Sequence, residues 1–282
     1  MHMLLCEKYE LNSDKVDFLD IELDGGDTQV FIDPYRIHIS SEEWCKGVKD
    51  QISRYFEKLI DYAQNDQDDE ARRMMKYLRE INELKIGYSS NKSQGKGFSL
   101  KDGMYLYEQI KKSKVRETGM VKDIFDCQVF IPRVHRDKVS DFISNIIQKN
   151  LVEYTQKECQ KYNIPMQQVN SIRYHNIDTN KWDKVKVYLP VHYGKPIILI
   201  PKTIVRSKQY FDYYNVYDKL IIPYYQTEMA NPLNRLLYLA SNEPITKKEV
   251  KKRFPCRREF VNEFLDTNVE KYIQFRENAL GM

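Results

Sequence analysis

The chain has 282 residues, 41% apolar and 30% charged, with a net charge of +4 and a pI near 8.5. That length carries one large domain or two small ones with a real core, and the apolar content excludes general disorder. Apolar runs are short, such as IILI at 197–200, far below the roughly 20 residues of a membrane helix, so no membrane partner is expected.

In chain order, residues 16–37, VDFLDIELDGGDTQVFIDPYRI, predict a β-hairpin. Apolar residues roughly alternate on both sides of DGGD, a turn signal, and Asp33-Pro34 ends the second strand. From Ser41 to Glu83 the period becomes helical: Trp44, Val48, Ile52, Tyr55, Phe56, Leu59 and Ile60 recur every three or four residues. Ser40 or Ser41 is the expected N-cap. NDQDD at 65–69 divides this run from a second helix through Met74, Met75, Leu78 and Ile81. The polar loop GYSSNKSQGKGF, residues 87–98, then leads into a third helix over 100–117.

IFDCQVFI at 124–131 predicts a buried strand ended by Pro132, and a helix begins at Ser140. A second hairpin pairs VKVYLPV with IILIPKTIV across HYGKP. The Tyr-rich run 208–225 has no clear period. Beyond it Leu233, Leu236, Leu237 and Leu239, then TKKEVKKR at 246–253, then a last helix from Phe260 to Phe275 predict helices alone. The expected class is α+β: two β-hairpins and a buried strand flanked by helices, with an α+β core over 1–207 and a helical part over 208–282.

The loop at 87–98 raises the question of a phosphate cradle. A P-loop needs GxxxxGK[ST] after a buried strand, and here the Ser/Thr after Lys96 and the earlier glycine are missing. What remains is an anion nest around Gly95, Lys96 and Gly97, or a solvated linker. Metal-dependent phosphodiester cleavage needs two or three carboxylates on Mg²⁺ and usually a lysine. Asp33, Asp123, Asp126, Asp141 and Glu80 or Glu83 are the acidic candidates, and Lys202 is the cation. The [D/E]-x-K signature of restriction-type nucleases is absent, since Ile200 stands two before Lys202, and Asp141 has a plainer role in a first helical turn. No G-x-S-x-G elbow exists. Five dispersed cysteines and five dispersed histidines predict reduced thiols and no zinc site. No secretion signal is read at the N-terminus, so a cytoplasmic location is expected. From Thr246 to Glu259 seven Lys/Arg stand against two Glu, a basic segment suited to phosphates or simply to solvent. The 21 tyrosines, beside abundant Lys, Asn and Ile, fit an AT-rich coding sequence better than a built binding surface.

FIDPYRI (31–37), E-x-N-E-x-x-x-G-Y-S from Glu80 to Ser89, VSDFISNII (139–147), LVEYTQ (151–156), the LP of YLPV and ILIPKTIVR (198–206) together resemble a family of uncharacterised bacterial proteins associated with mobile-element and phage-defence loci. The resemblance singles out Glu80–Gly97, Ser140, Asp141, Asn145 and Lys202. The chain departs from it at Pro132-Arg133-Val134-His135, where a glycine-containing turn is expected.

Two functions are carried forward. One is a defence-type protein that binds or cuts nucleic acid. As a nuclease, it would hold Mg²⁺ on Asp126 and Asp141 with Glu80, and stabilise charge with Lys202. Phosphates would then meet Lys92, Lys96 and Arg206, and the basic segment would supply Lys247, Lys248, Lys251, Lys252, Arg253 and Arg257. The alternative is a non-catalytic sensor or adaptor that binds an anionic ligand or a partner protein.

Overall fold

The computed structural model describes residues 3–88, 98–112, 121–230 and 245–281. The fold is α+β, with small two-stranded sheets set among helices and a helical C-terminal part.

The helices in order are α1 (Leu5–Lys8), α2 (Pro34–Ile39), α3 (Glu43–Gln64), α4 (Asp68–Met75), α5 (Leu100–Lys112), α6 (Ile124–Phe130), α7 (Arg136–Ile146) and α8 (Gln148–Lys161). After them come α9 (Tyr213–Val216), a π-helical turn (Tyr217–Ile221), α10 (Ile222–Ala230), α11 (Lys247–Arg253), α12 (Arg258–Thr267) and α13 (Val269–Leu280). The long α3 is the spine. Its three-four spacing buries Cys45, Val48, Ile52, Tyr55, Phe56 and Leu59 on one face. The α5 helix crosses α4 so closely that a Cβ on Gly103 would lie 2.6 Å from the Met75 sulfur, so only glycine fits without a shift.

The strands are β1 (Phe31–Ile32), β2 (Gln167–Asn176), β3 (Lys181–Leu189), β4 (Val191–His192), β5 (Lys195–Pro196) and β6 (Val205–Arg206). They pair antiparallel as β1–β6, β2–β3 and β4–β5. The principal apolar cluster runs from Ile32 to Tyr272, so Val250, Val261, Phe264 and Leu265 of the C-terminal helices share it with α3, α6 and α7. A smaller cluster joins Leu5, Val16, Phe18 and Ile21 to Cys159, Ile164, Ile197 and Leu199.

Several local expectations are corrected. Residues 16–37 do not pair across DGGD. The first half bridges to residues 4 and 201, and β1 pairs with Val205–Arg206 instead, so tertiary packing overrides the turn signal. Asp33 accepts a bond from the Tyr35 amide at 3.1 Å and N-caps α2, with Pro34 at the first helical position. The run 124–131 is helix α6. Its residues are all buried, which erases the periodicity that separates helix from strand. Helix α4 stops at Met75, and the chain reaches Ile81 without a further α-helix. α7 starts at Arg136, four residues before Ser140. HYGKP does turn a hairpin, but only two residues long on each side; VKVYL pairs chiefly with β2. The last helix is two, divided at Asn268. Residues 113–117 and Leu233 to Leu239 lie outside the described residues.

Candidate functional site

The predicted site residues are not brought to one place. Asp126 is fully buried at the start of α6. Its Oδ2 accepts the amides of Lys122 and Asp123 at 3.0 and 2.9 Å, and its Oδ1 accepts the Tyr272 hydroxyl at 2.7 Å. Both oxygens lie 3.2 Å from Nε of Arg276, itself buried. Burial raises the Asp126 pKa, and Arg276 and Tyr272 pull it back. Asp123 beside it is pushed up to about 7 by burial and by the Asp126 charge. Lys202 points to the N-terminal segment, where its ammonium donates to the carbonyls of Ser13 and Val16. Arg206 is exposed in β6 and donates to the Val205 carbonyl. Lys92 and Lys96, with Gly95 and Gly97, lie outside the described residues.

Glu80 and Asp141 do approach each other, together with Asp102 and Asp137. Burial, then the Asp137 charge, pushes the Asp141 carboxyl up to about 7; Glu80 and Asp102 add to this, and the Phe98 amide at 3.1 Å opposes it. Asp102 is engaged by Lys138 and by the Ser99 hydroxyl at 2.7 Å. A Mg²⁺ ion does not fit the assigned pair. The Asp126 oxygens are saturated by Arg276, Tyr272 and two amides, which leaves no position on that carboxylate for the ion. Among the described residues no group of three or more His, Cys, Asp or Glu is placed to hold a metal ion.

Ser140 and Asn145, singled out by the resemblance, are structural pins. Ser140 Oγ accepts the Ile32 amide at 3.0 Å. Asn145 donates to the Arg79 carbonyl at 2.6 Å and accepts the Arg79 amide at 3.2 Å. The six basic residues Lys247, Lys248, Lys251, Lys252, Arg253 and Arg257 are all exposed on and just after α11, whose start is a Thr246–Glu249 capping box. Lys247 and Lys251 reach Asp218 at 3.5 and 3.0 Å.

What the fold does assemble is a pair of hollows sharing Lys138. One, about 800 Å³, is walled by Arg79, Lys101, Tyr105 and Arg133. The other, about 480 Å³, is walled by Tyr88, Gln128, His135, Arg136, Tyr213, Tyr214 and Arg258. Cations and rings line both, together with Glu80 and Asp102 in the first and Asp137 and Asp212 in the second. Arg136 lies 4.9 and 5.0 Å from the ring centres of Phe31 and Tyr88, and donates to the Ser207 carbonyl at 2.8 Å. Arg258 lies 4.4 Å above the Tyr213 ring and donates to the carbonyls of Gln128 and Ile131, each at 2.9 Å. It thereby satisfies the C-terminal end of α6, whose last carbonyls have no partner within the helix. The Tyr213 and Tyr214 rings stand 4.0 Å apart, and Arg133 lies 5.8 Å from the Tyr105 ring. Tyr88 and Tyr214 keep 52% and 59% of their surface exposed. Burial and the charges of Arg258 and Lys138 hold His135 below its usual pKa, so it adds no positive charge at neutral pH. The turn that lacks the expected glycine is made by Arg133 itself, at φ +63°.

A third hollow of about 490 Å³ contains His192, but not as a free base. Lys8 Nζ, which has only donors, meets its Nδ1 at 3.0 Å, so Nε2 carries the hydrogen and donates it to Asp24 at 2.7 Å. Both ring nitrogens are committed.

The chain belongs to a family described as a domain of unknown function, DUF8370, which matches residues 9–212. No curated protein and no solved structure gives a significant match. The matched span supplies Tyr88, Gln128, His135, Arg136 and Lys138; Tyr213 and Tyr214 follow it directly, and Arg258 comes from the C-terminal helices beyond it. The sequence signal for the second group was the Tyr-rich run after 208, which composition alone explained away; Arg258 was hidden inside a basic segment.

Proposed function

We propose that the protein binds single-stranded nucleic acid across the two hollows around Lys138, without cutting it, in the bacterial defence setting that the sequence resemblance implies. The observation that carries this reading is the gathering of Arg133, Arg136, Lys138 and Arg258 with Tyr88, Tyr105, Tyr213 and Tyr214 in two hollows that share Lys138. Unpaired bases offer faces for exposed rings, and a backbone offers phosphates for the cations between them. A duplex hides its bases and leaves only the charge term. Binding is favoured over cleavage because Asp126 and Lys202, the residues that cleavage would need beside Asp141, are committed to Arg276 and to the Ser13 and Val16 carbonyls.

The test is fluorescence anisotropy with a labelled oligothymidylate and a matching duplex at rising salt. The single strand should bind more tightly, and its log K should fall linearly with log salt. Arg133→Glu and Lys101→Glu, exposed cations with no ion-pair partner among the described residues, should each weaken binding about tenfold. Lys202→Ala should leave it unchanged. Absence of binding at low salt, or indifference to the two charge reversals, would overturn the reading.

A further inference from the structure

The hollow beside α6 contains a polar group with nothing to bind. Gln128 is 2% exposed, lines the 480 Å³ cavity, and its Nε2 has no hydrogen-bond partner. A buried amide donor left alone is costly, and such groups are rare in folded chains. The surrounding chain does not relieve it: the Gln128 carbonyl is taken by Arg258 at 2.9 Å, and no group among the described residues accepts from the side-chain amide.

We infer that this cavity is a base pocket, which takes one unstacked nucleobase of the bound strand and reads an acceptor on its edge with Gln128. This rests on the nucleic-acid reading above and names the ligand group. The cavity volume falls within the about 300–1,000 Å³ typical of ligand pockets. Tyr214, exposed at the mouth and 4.0 Å from Tyr213, offers the stacking face. Lys138 lines the same cavity, where an attached phosphate would compete with Asp102 for its ammonium. Every base carries a ring nitrogen or carbonyl oxygen that accepts from an amide, so Gln128 distinguishes base from no base more than one base from another.

The experiment compares uridine 5′-monophosphate and adenosine 5′-monophosphate with ribose 5-phosphate, which has the sugar and phosphate but no base, by calorimetric titration. Oligothymidylate is titrated in parallel. The wild-type protein should bind both nucleotides at least tenfold more tightly than ribose 5-phosphate. Gln128→Met keeps the length of the side chain and removes the donor. It should bring the nucleotides to within about threefold of ribose 5-phosphate, while its melting temperature stays at or above that of the wild type. A purely structural glutamine would lower the melting temperature and leave the ratio alone. If Gln128→Met does not fold, Tyr214→Ala at the exposed mouth carries the test, with the same fall in ratio expected. Equal affinity of the wild type for nucleotides and ribose 5-phosphate, with oligothymidylate still bound, overturns the base pocket alone. Loss of oligothymidylate binding by the wild type overturns the underlying reading instead.

Discussion

Arg276 reaches the N-terminal end of α6 and Arg258 reaches its C-terminal end, both from the C-terminal helices. At the first end the guanidinium meets a carboxylate, Tyr272 closes over it, and Asp126 is sealed from solvent. At the second it meets carbonyls, its face lies under Tyr213, and the wall stays open as a cavity. A carboxylate can be satisfied completely by the chain, which leaves nothing for a ligand. Carbonyls satisfied from one side leave neighbouring groups such as the Gln128 amide unspent. The sealed end is closed by the chain alone, and the open end borders a cavity.

The sharpest way to break this contrast is to cut the sealed pair. Asp126→Ala leaves Arg276 buried and unpaired and should cost about 3–5 kcal/mol in urea unfolding, while Asp126→Leu combined with Arg276→Met should recover much of that. Wild-type stability in the single variant would mean the pair is not sealed. At the open end, Arg258→Met should cost less, about 1.5–3 kcal/mol, because it frees carbonyls rather than a buried charge. It should also weaken oligothymidylate binding, which Asp126→Leu with Arg276→Met should not.

Asp141, whose carboxylate accepts the Phe98 amide, gives the third measurement. Its carboxyl ionises at about 7 in the fold against 3.8 ordinarily, so between those values the folded chain holds a proton that the unfolded chain has lost. Its contribution to stability is therefore present below about pH 4 and is lost as pH rises to about 7. Asp141→Asn should flatten that part of the stability–pH profile, with a gain on the order of 1–2 kcal/mol above neutrality. A wild-type slope retained in the variant would place the titration elsewhere. The smallest effect is expected from Asp218→Asn, which frees the exposed Lys247 and Lys251. Thermal unfolding should register less than about 1 kcal/mol.

Legibility in the sequence followed the environment of each segment. α3 was plain because one face is buried and the other wet, so its spacing survives in the residue pattern. α6 was misread because nothing in it is wet; the one local clue was Asp123 with Asp126 three residues on, a capping pair read as candidate ligands. The DGGD turn misled because β1 finds its partner at 205–206 rather than beside it, and no local signal encodes that distance. The Glu80 charge acts on Asp141 in the fold, whereas Lys202 ends a strand-like run whose far end lies against the N-terminal loop. The tyrosines of the open hollow were discounted as composition, since a count of residues cannot distinguish rings in a core from rings at a mouth.

The pairing of Phe31–Ile32 with Val205–Arg206 also sets an order of events during synthesis. Ile32 must wait for Ser140 and then for Gln209, which accept and donate the bonds of its amide and carbonyl, and Asp33 must wait for Ile204. Helices such as α3 can form as soon as they emerge, but the clasp that joins the two ends of the matched span closes only after residue 209 has left the ribosome. Contacts of such sequence separation slow folding, because the loop between them must be ordered before they reward it. Until then the nascent chain carries an unpaired strand edge, and its exposure to chaperones and proteases is greatest in that interval.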